Sequence, residues 1–217
     1  QKFGDSVTAS WAINQITEKH SKPFFLAAGF YRPHVPFYAP QRFFDSHPLG
    51  SVHTPEVKQS DCDDLPSAAL KLTDNSGPPS HDWFVQHNQW KPAVQAYLAS
   101  VSFTDTQVGR LLDALDQSSH ANNTIIVLFS DHGFHLGEKE RWAKQSLWER
   151  STRVPLIISV PNGLQGKVCE RPVELLSIYP TLLKLCGLPV RDDLEGVSLQ
   201  PLLENADAAW EHVALTT

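Results

Sequence analysis

Residues 124–129, Thr-Ile-Ile-Val-Leu-Phe, form an apolar run with no period-two alternation. The run is β-branched and aromatic and too short for a typical helix, which predicts a strand buried on both faces, as in a parallel sheet covered by helices. Residues 23–30 and 154–161 read the same way, the latter bounded by prolines. Helical spacing marks residues 5–20, with Asp5 or Ser6 as cap and Val7, Trp11, Ile13 and Ile16 roughly on one side. A longer helix is predicted over 91–117, with Pro92 in its first turn and Leu98, Val101, Val108, Leu112 and Leu115 as its apolar stripe. Asp105 falls on that stripe, where a carboxylate needs partners. A further helix over 173–186 stops at Gly187 and Pro189, a short one lies around 199–203, and 212–217 opens another strand. Helices layered with buried strands predict an α/β fold whose mostly parallel sheet is flanked by helices.

Residues 31–90 break the pattern. They are rich in Pro, His and aromatics and show no sustained helical period beyond a short turn at 41–45. A stretch of this length with little regular structure tends to be a lid or the wall of a site. Its Asp61, Asp63 and Asp64 resemble a calcium loop in composition but lack the spacing of an EF-hand, so a solvated acidic turn is the simpler reading. Asn75-Ser76-Gly77-Pro78-Pro79 is loop chemistry.

Chemistry gathers just past the carboxyl end of the 124–129 run, where strands of such sheets carry function. Ser130-Asp131-His132-Gly133 places a carboxylate beside an imidazole, with a glycine suited to a sharp turn. That pair can hold a metal or an oxyanion; an ordinary strand-to-loop turn is the alternative. Phe134 to Lys144 follows with mixed charges, as a solvated loop would also carry, and Lys144 is its residue of interest because a Lys near a strand-tip metal can bind a substrate oxyanion.

Composition narrows the classes. The 217 residues are 41% hydrophobic and 19% charged, enough for one sizeable core or part of a larger one. A net charge of -6 and no Lys/Arg-rich run argue against nucleic acid as a partner. No apolar run approaches the ~20 residues that span a bilayer. The three cysteines, Cys62, Cys169 and Cys186, show neither disulfide nor zinc spacing. Methionine is absent, initiator included, so the chain is expected to begin mid-protein. Asn122-Asn123-Thr124 is a glycosylation sequon, meaningful only in a eukaryotic secretory pathway.

Taken in order, Gly29 to Phe37, Ser100 to Arg110, Ser130 to Gly133, Leu136-Gly137-Glu138, Trp142-Ala143-Lys144 and Arg153 to Leu156 resemble the second half of a sulfatase catalytic domain, of the alkaline-phosphatase-like superfamily. The Trp-Ala-Lys and Pro-His-Val-Pro pieces are most similar to iduronate-2-sulfatase and its bacterial relatives, although Phe134 stands where those enzymes tend to have Trp. The resemblance implies that residues 1–217 are the later portion of one catalytic domain, with 31–90 as an active-site loop region and an incomplete sheet. It implies that Asp131 and His132 help hold a divalent cation, usually calcium, and that Lys144 and His34 contact the sulfate oxygens and assist ester cleavage. Calcium prefers oxygen ligands, so His132 is either a weak ligand or a contact to the sulfate. An extracytoplasmic location also follows from the resemblance.

Two departures matter for chemistry. Sulfatases use a formylglycine made within Cys/Ser-x-Pro-x-Arg, and none of Cys62, Cys169 and Cys186 lies in such a motif. The paired aspartates of the family's first strand are also missing. The chain by itself is therefore expected to be inactive, its partners being the missing N-terminal part of the same protein and a sulfated carbohydrate or other sulfate ester. Choline-sulfatase-like or phosphonate and phosphodiester hydrolysis is the second reading, since those relatives share Asp-His at the elbow. A non-catalytic glycan-binding remnant is the third.

Overall fold

The protein is described from a computed structural model covering residues 3–72 and 77–216. In chain order its helices are α1 (Gly4–Thr17), α2 (Gln41–Asp45), α3 (Ser67–Leu72), α4 (His81–Gln86), α5 (Trp90–Asp116), α6 (Glu149–Thr152), α7 (Ile178–Leu185) and α8 (Gln200–Glu204). The strands are β1 (Ile126–Phe129), β2 (His135–Leu136), β3 (Trp142–Ala143) and β4 (Leu156–Ser159). They divide between two units: residues 1–123 with 134–145, and residues 124–133 with 146–217.

In the first unit α1 packs along α5. The buried positions of α1 are Asp5, Ala9, Ala12 and Ile16, a three-four spacing whose alanines let the helices approach closely. The expected stripe was misplaced: Val7 and Trp11 are each 51% exposed, and Asp5 is not the cap, because the N-cap is Phe3 with no side-chain bond. Along α5 the buried line runs through Val94, Ala99, Ser100, Phe103, Gln107 and Leu115, while Val101 and Leu112 are exposed. Asp105 is exposed too, so water solvates the carboxylate and the partners it was expected to need are not required. Phe103 anchors the core against Ala99 and Phe43, with Phe3, Ala39 and Phe44 packed around them. Residues 31–90 hold short helical segments, the longest of six residues, and their Asn75-Ser76 lies outside the described residues. Asp61 pairs with Lys139 at 3.0 Å.

The second unit carries the β1–β4 ladder, which is antiparallel with Ile126 opposite Ser159 and Phe129 opposite Leu156. The β2–β3 pair of the first unit is antiparallel as well, so the expected parallel pairing does not occur among the described residues. An apolar run reports burial but not direction; here the antiparallel pairing continues one residue past β1, where Ser130 N–H donates to the Pro155 carbonyl at 3.3 Å. Burial was also overstated: Phe129 is 50% and Ile157 60% exposed. Residues 23–30 form no strand, and Phe25 is 83% exposed, because nothing among the described residues pairs with that segment in a ladder. Residues 212–216 likewise form no strand, and Thr217 lies outside the described residues. Toward the end of this unit, the buried Thr181 hydroxyl donates to the Ser177 carbonyl at 2.6 Å and accepts from Leu199 N–H at 2.8 Å, seating α8 by α7.

Candidate active site

In the first unit, His34 sits on a loop held from several sides. The peptide bonds before Pro33 and Pro36 are both cis. The carboxylate of Asp5 accepts the N–H groups of Tyr31 and Arg32 at 2.9 and 3.1 Å. The Thr104 hydroxyl of α5 donates to the Arg32 carbonyl at 3.0 Å. The Arg32 guanidinium donates to the carbonyls of Tyr38 at 2.9 Å and His34 at 3.3 Å, and lies 5.0 and 5.7 Å from the ring centres of Tyr31 and Tyr38. His34 N–H donates to the Tyr31 carbonyl at 2.9 Å, and the Tyr31 ring lies 4.7 Å from the imidazole. Nδ1 of His34 is 2.7 Å from the Val35 carbonyl oxygen. A carbonyl can only accept, so Nδ1 carries the hydrogen and Nε2 is left as the acceptor.

Phe37, three residues on, meets Tyr97 of α5 and Phe134 edge-on at 5.7 and 5.8 Å, and Tyr97 stacks on Phe134 at 5.6 Å. Burial, with the Glu138 charge adding to it, pushes the Tyr97 phenol up, so it stays neutral in this cluster.

Lys144 follows the β2–β3 hairpin of the same unit. Trp142 seats that hairpin: its indole stacks on Phe84 at 3.8 Å and donates to Nδ1 of the buried His81 at 3.4 Å. At the hairpin's start, Trp90 Nε1 donates to the Leu136 carbonyl at 2.6 Å, and a Cβ on Gly137 (φ +126°) would crowd both His81 and Trp90. Ala143 takes a left-handed φ of +70°, turning the chain immediately before Lys144. Lys144 is half-buried and has no ion-pair partner among the described residues.

Asp131 and His132 belong to the second unit, just past β1. The Ser130 hydroxyl donates to the His132 carbonyl at 2.8 Å, and Gly133 N–H donates to the Ser151 carbonyl at 2.7 Å. Gly133 is required by that close approach, since a Cβ there would overlap the Arg150 carbonyl oxygen. His132 repeats the arrangement of His34: Nδ1 is 2.7 Å from the Gly133 carbonyl, which leaves Nε2 as an acceptor. That Nε2 lies 3.8 Å from Oδ2 of Asp131, whose side chain is 83% exposed. Two acceptors facing each other at that spacing suit a shared cation. They are the extent of the donor set, because no group of three or more His, Cys, Asp or Glu gathers among the described residues.

His34 and Lys144 thus stand in one unit, and Asp131 and His132 are brought together in the other. The free thiols add no nucleophile of their own motif: burial, helped by Glu140, pushes the Cys62 thiol up, and it donates weakly to the Lys139 carbonyl at 3.7 Å. Sequence reasoning missed Asp5, Arg32 and Thr104 as supports of His34. Asp5 was legible in one respect, since it continues the Ala9, Ala12, Ile16 register once alanines count as packing residues.

Comparisons with known proteins assign the chain to a family. The sulfatase family model matches residues 4–188. A sulfatase of Formosa agariphila is 46% identical over 213 residues, 98% of this chain and 42% of that protein. Human iduronate 2-sulfatase is 36% identical over 81% of this chain and 38% of its own length. The chain therefore spans about two fifths of the curated relatives it matches. Among solved structures, the phosphonate monoester hydrolase of Agrobacterium radiobacter superposes with a TM-score of 0.77 at 26% identity, over 94% of this chain and 42% of that one. With the fold α/β and alkaline-phosphatase-like, and the match running through the His34 loop, the Asp131-His132 elbow and Lys144, the chain belongs to the sulfatase family.

Proposed function

We propose that the protein works as a sulfuric ester hydrolase, with a sulfated sugar as substrate. The observation that carries this reading is the matched presentation of two histidines, each tied through Nδ1 to the carbonyl of the next residue and each offering Nε2. Cleaving a sulfate ester develops charge on the sulfuryl oxygens and on the leaving oxygen. Lys144 neutralises the sulfuryl charge, and His34 Nε2, when protonated, hydrogen-bonds the reacting oxygens or gives the leaving oxygen its proton. Asp131 and His132 hold a divalent cation, calcium in this reading, which supplies Lewis-acid stabilisation when bound. The exposed Asp131 carboxylate is its oxygen donor and His132 its weaker one.

The likeness to human iduronate 2-sulfatase supports a uronate 2-sulfate as the sugar class. Because no Cys/Ser-x-Pro-x-Arg motif occurs in the 217 residues, the nucleophile comes from a part of the protein outside them, and this chain alone is expected to release no sulfate. A second reading, phosphonate or phosphodiester hydrolysis, is favoured by the likeness to the Agrobacterium radiobacter enzyme. Parallel assays of the full-length protein on an aryl sulfate, a 2-sulfated uronate disaccharide and a phosphonate monoester separate the two. Faster turnover of the sulfates supports the first reading; faster turnover of the phosphonate replaces it.

A further inference from the structure

We infer that Asp5 is a positioning residue for His34, acting through the backbone of Tyr31 and Arg32. The inference rests on the role given to His34 above. Asp5 is 6% exposed and lies in the first turn of α1, where its two carboxylate oxygens take two consecutive backbone N–H groups. A carboxylate is acceptor-only, so this site matches two donors with two acceptors and leaves neither N–H orphaned.

The two residues so fixed are the ones that grip the imidazole. Tyr31 gives its carbonyl to His34 N–H, lays its ring 4.7 Å from the imidazole, and donates its hydroxyl at 3.1 Å to the same Val35 carbonyl that accepts from His34 Nδ1. Arg32 ties the His34 and Tyr38 carbonyls together from the side chain, and its own carbonyl is held by Thr104. The line from a helix side chain to a reactive nitrogen therefore runs Asp5, Tyr31, Val35 carbonyl, His34. Because α1 is packed on α5, and α5 supplies Thr104, the loop is referenced to two helices instead of to its own turns.

Substituting Asn for Asp5 keeps the shape but presents an amide NH₂ where a second acceptor is needed, setting a donor against one of the two N–H groups. Thr104→Val is the milder second variant, removing one donor from the opposite side of Arg32.

The test uses the full-length protein in three measurements. Amide hydrogen exchange over residues 31–35 is expected to quicken in Asp5→Asn, and less in Thr104→Val. The imidazole ¹⁵N shifts of His34 are expected to report a single Nδ1–H tautomer in the parent and to move toward a mixture in Asp5→Asn. In sulfate release, kcat is expected to fall by about a hundredfold for a misplacement near 1 Å, with KM within about threefold, and Asp5→Asn is expected to add nothing further when His34 is already Ala. Unchanged exchange and tautomer in both variants overturn the inference, as does an equal loss of kcat in the His34→Ala background. Absence of turnover by the parent protein counts against the sulfatase reading alone, and the exchange and tautomer measurements still decide the positioning.

Discussion

His34 Nδ1 lies 2.7 Å from the carbonyl oxygen of Val35, its own neighbour in the chain. The bond places the imidazole hydrogen on Nδ1 and leaves Nε2 as the acceptor. Replacing His34 with Gln should lower kcat of the full-length protein by ~10²–10⁴, the range for losing a proton donor or acceptor at the reacting atom. Steady-state kinetics on a sulfate ester checks this, and folding should be spared because His34 is not in the core.

Gly133 should not tolerate a methyl group. Its Cβ would occupy the space of the Arg150 carbonyl, and the Gly133 N–H to Ser151 bond holds the two segments at that distance. Gly133→Ala is expected to destabilise by about 1–3 kcal/mol, the usual cost of overpacking. Urea denaturation gives the value, and an unchanged midpoint would show that the approach is looser than described.

The Trp142 ring, 5% exposed and stacked on Phe84, is what seats the hairpin ahead of Lys144. Trp142→Ala should cost about 3–5 kcal/mol, as for other large buried aromatics. Trp142→Phe keeps the stack but leaves His81 without its donor, and should cost less. Thermal melts of the two variants side by side test that order.

Burial pushes the His81 imidazole below its ordinary value of 6.5, with Asp82, Glu140 and Glu138 opposing the shift. The unfolded chain therefore takes up this proton more readily than the folded one, and stability rises with pH across the interval. The contribution is complete above 6.5 and is lost as pH falls through the depressed folded value. Chemical denaturation at pH 7.5 and 5 should show that loss, and His81→Gln should flatten it.

Much of this molecule was legible along the chain. The extent of α5, though not its buried face, and the β-branched runs of β1 and β4 announce themselves locally, because each depends on residues within a few positions. Strand direction was not legible: apolar runs at 124–129 and 154–161 look alike whether they pair parallel or antiparallel, because direction is set by the ladder between them and not by either run alone. Nor was the inward face of α1, where small alanines and a carboxylate do the packing and the large apolar Trp11 faces out. Asp5 illustrates the general difficulty. Its partners lie 26 and 27 residues away on a loop with no period, so a capping residue and a buried anchor carry the same local signature. His34, Lys144, Asp131 and His132 were singled out through ordered family motifs, whereas the Nδ1 bonds that orient His34 and His132 are properties of the folded chain.

Sulfate release from a 2-sulfated uronate disaccharide by the full-length protein, compared with its Lys144→Ala variant, tests the central claim most directly. The parent is expected to turn over, and the variant to lose ~10²–10³ in kcat, as when a group stabilising transition-state charge is removed. No sulfate from the parent, or equal rates from the two, would contradict it.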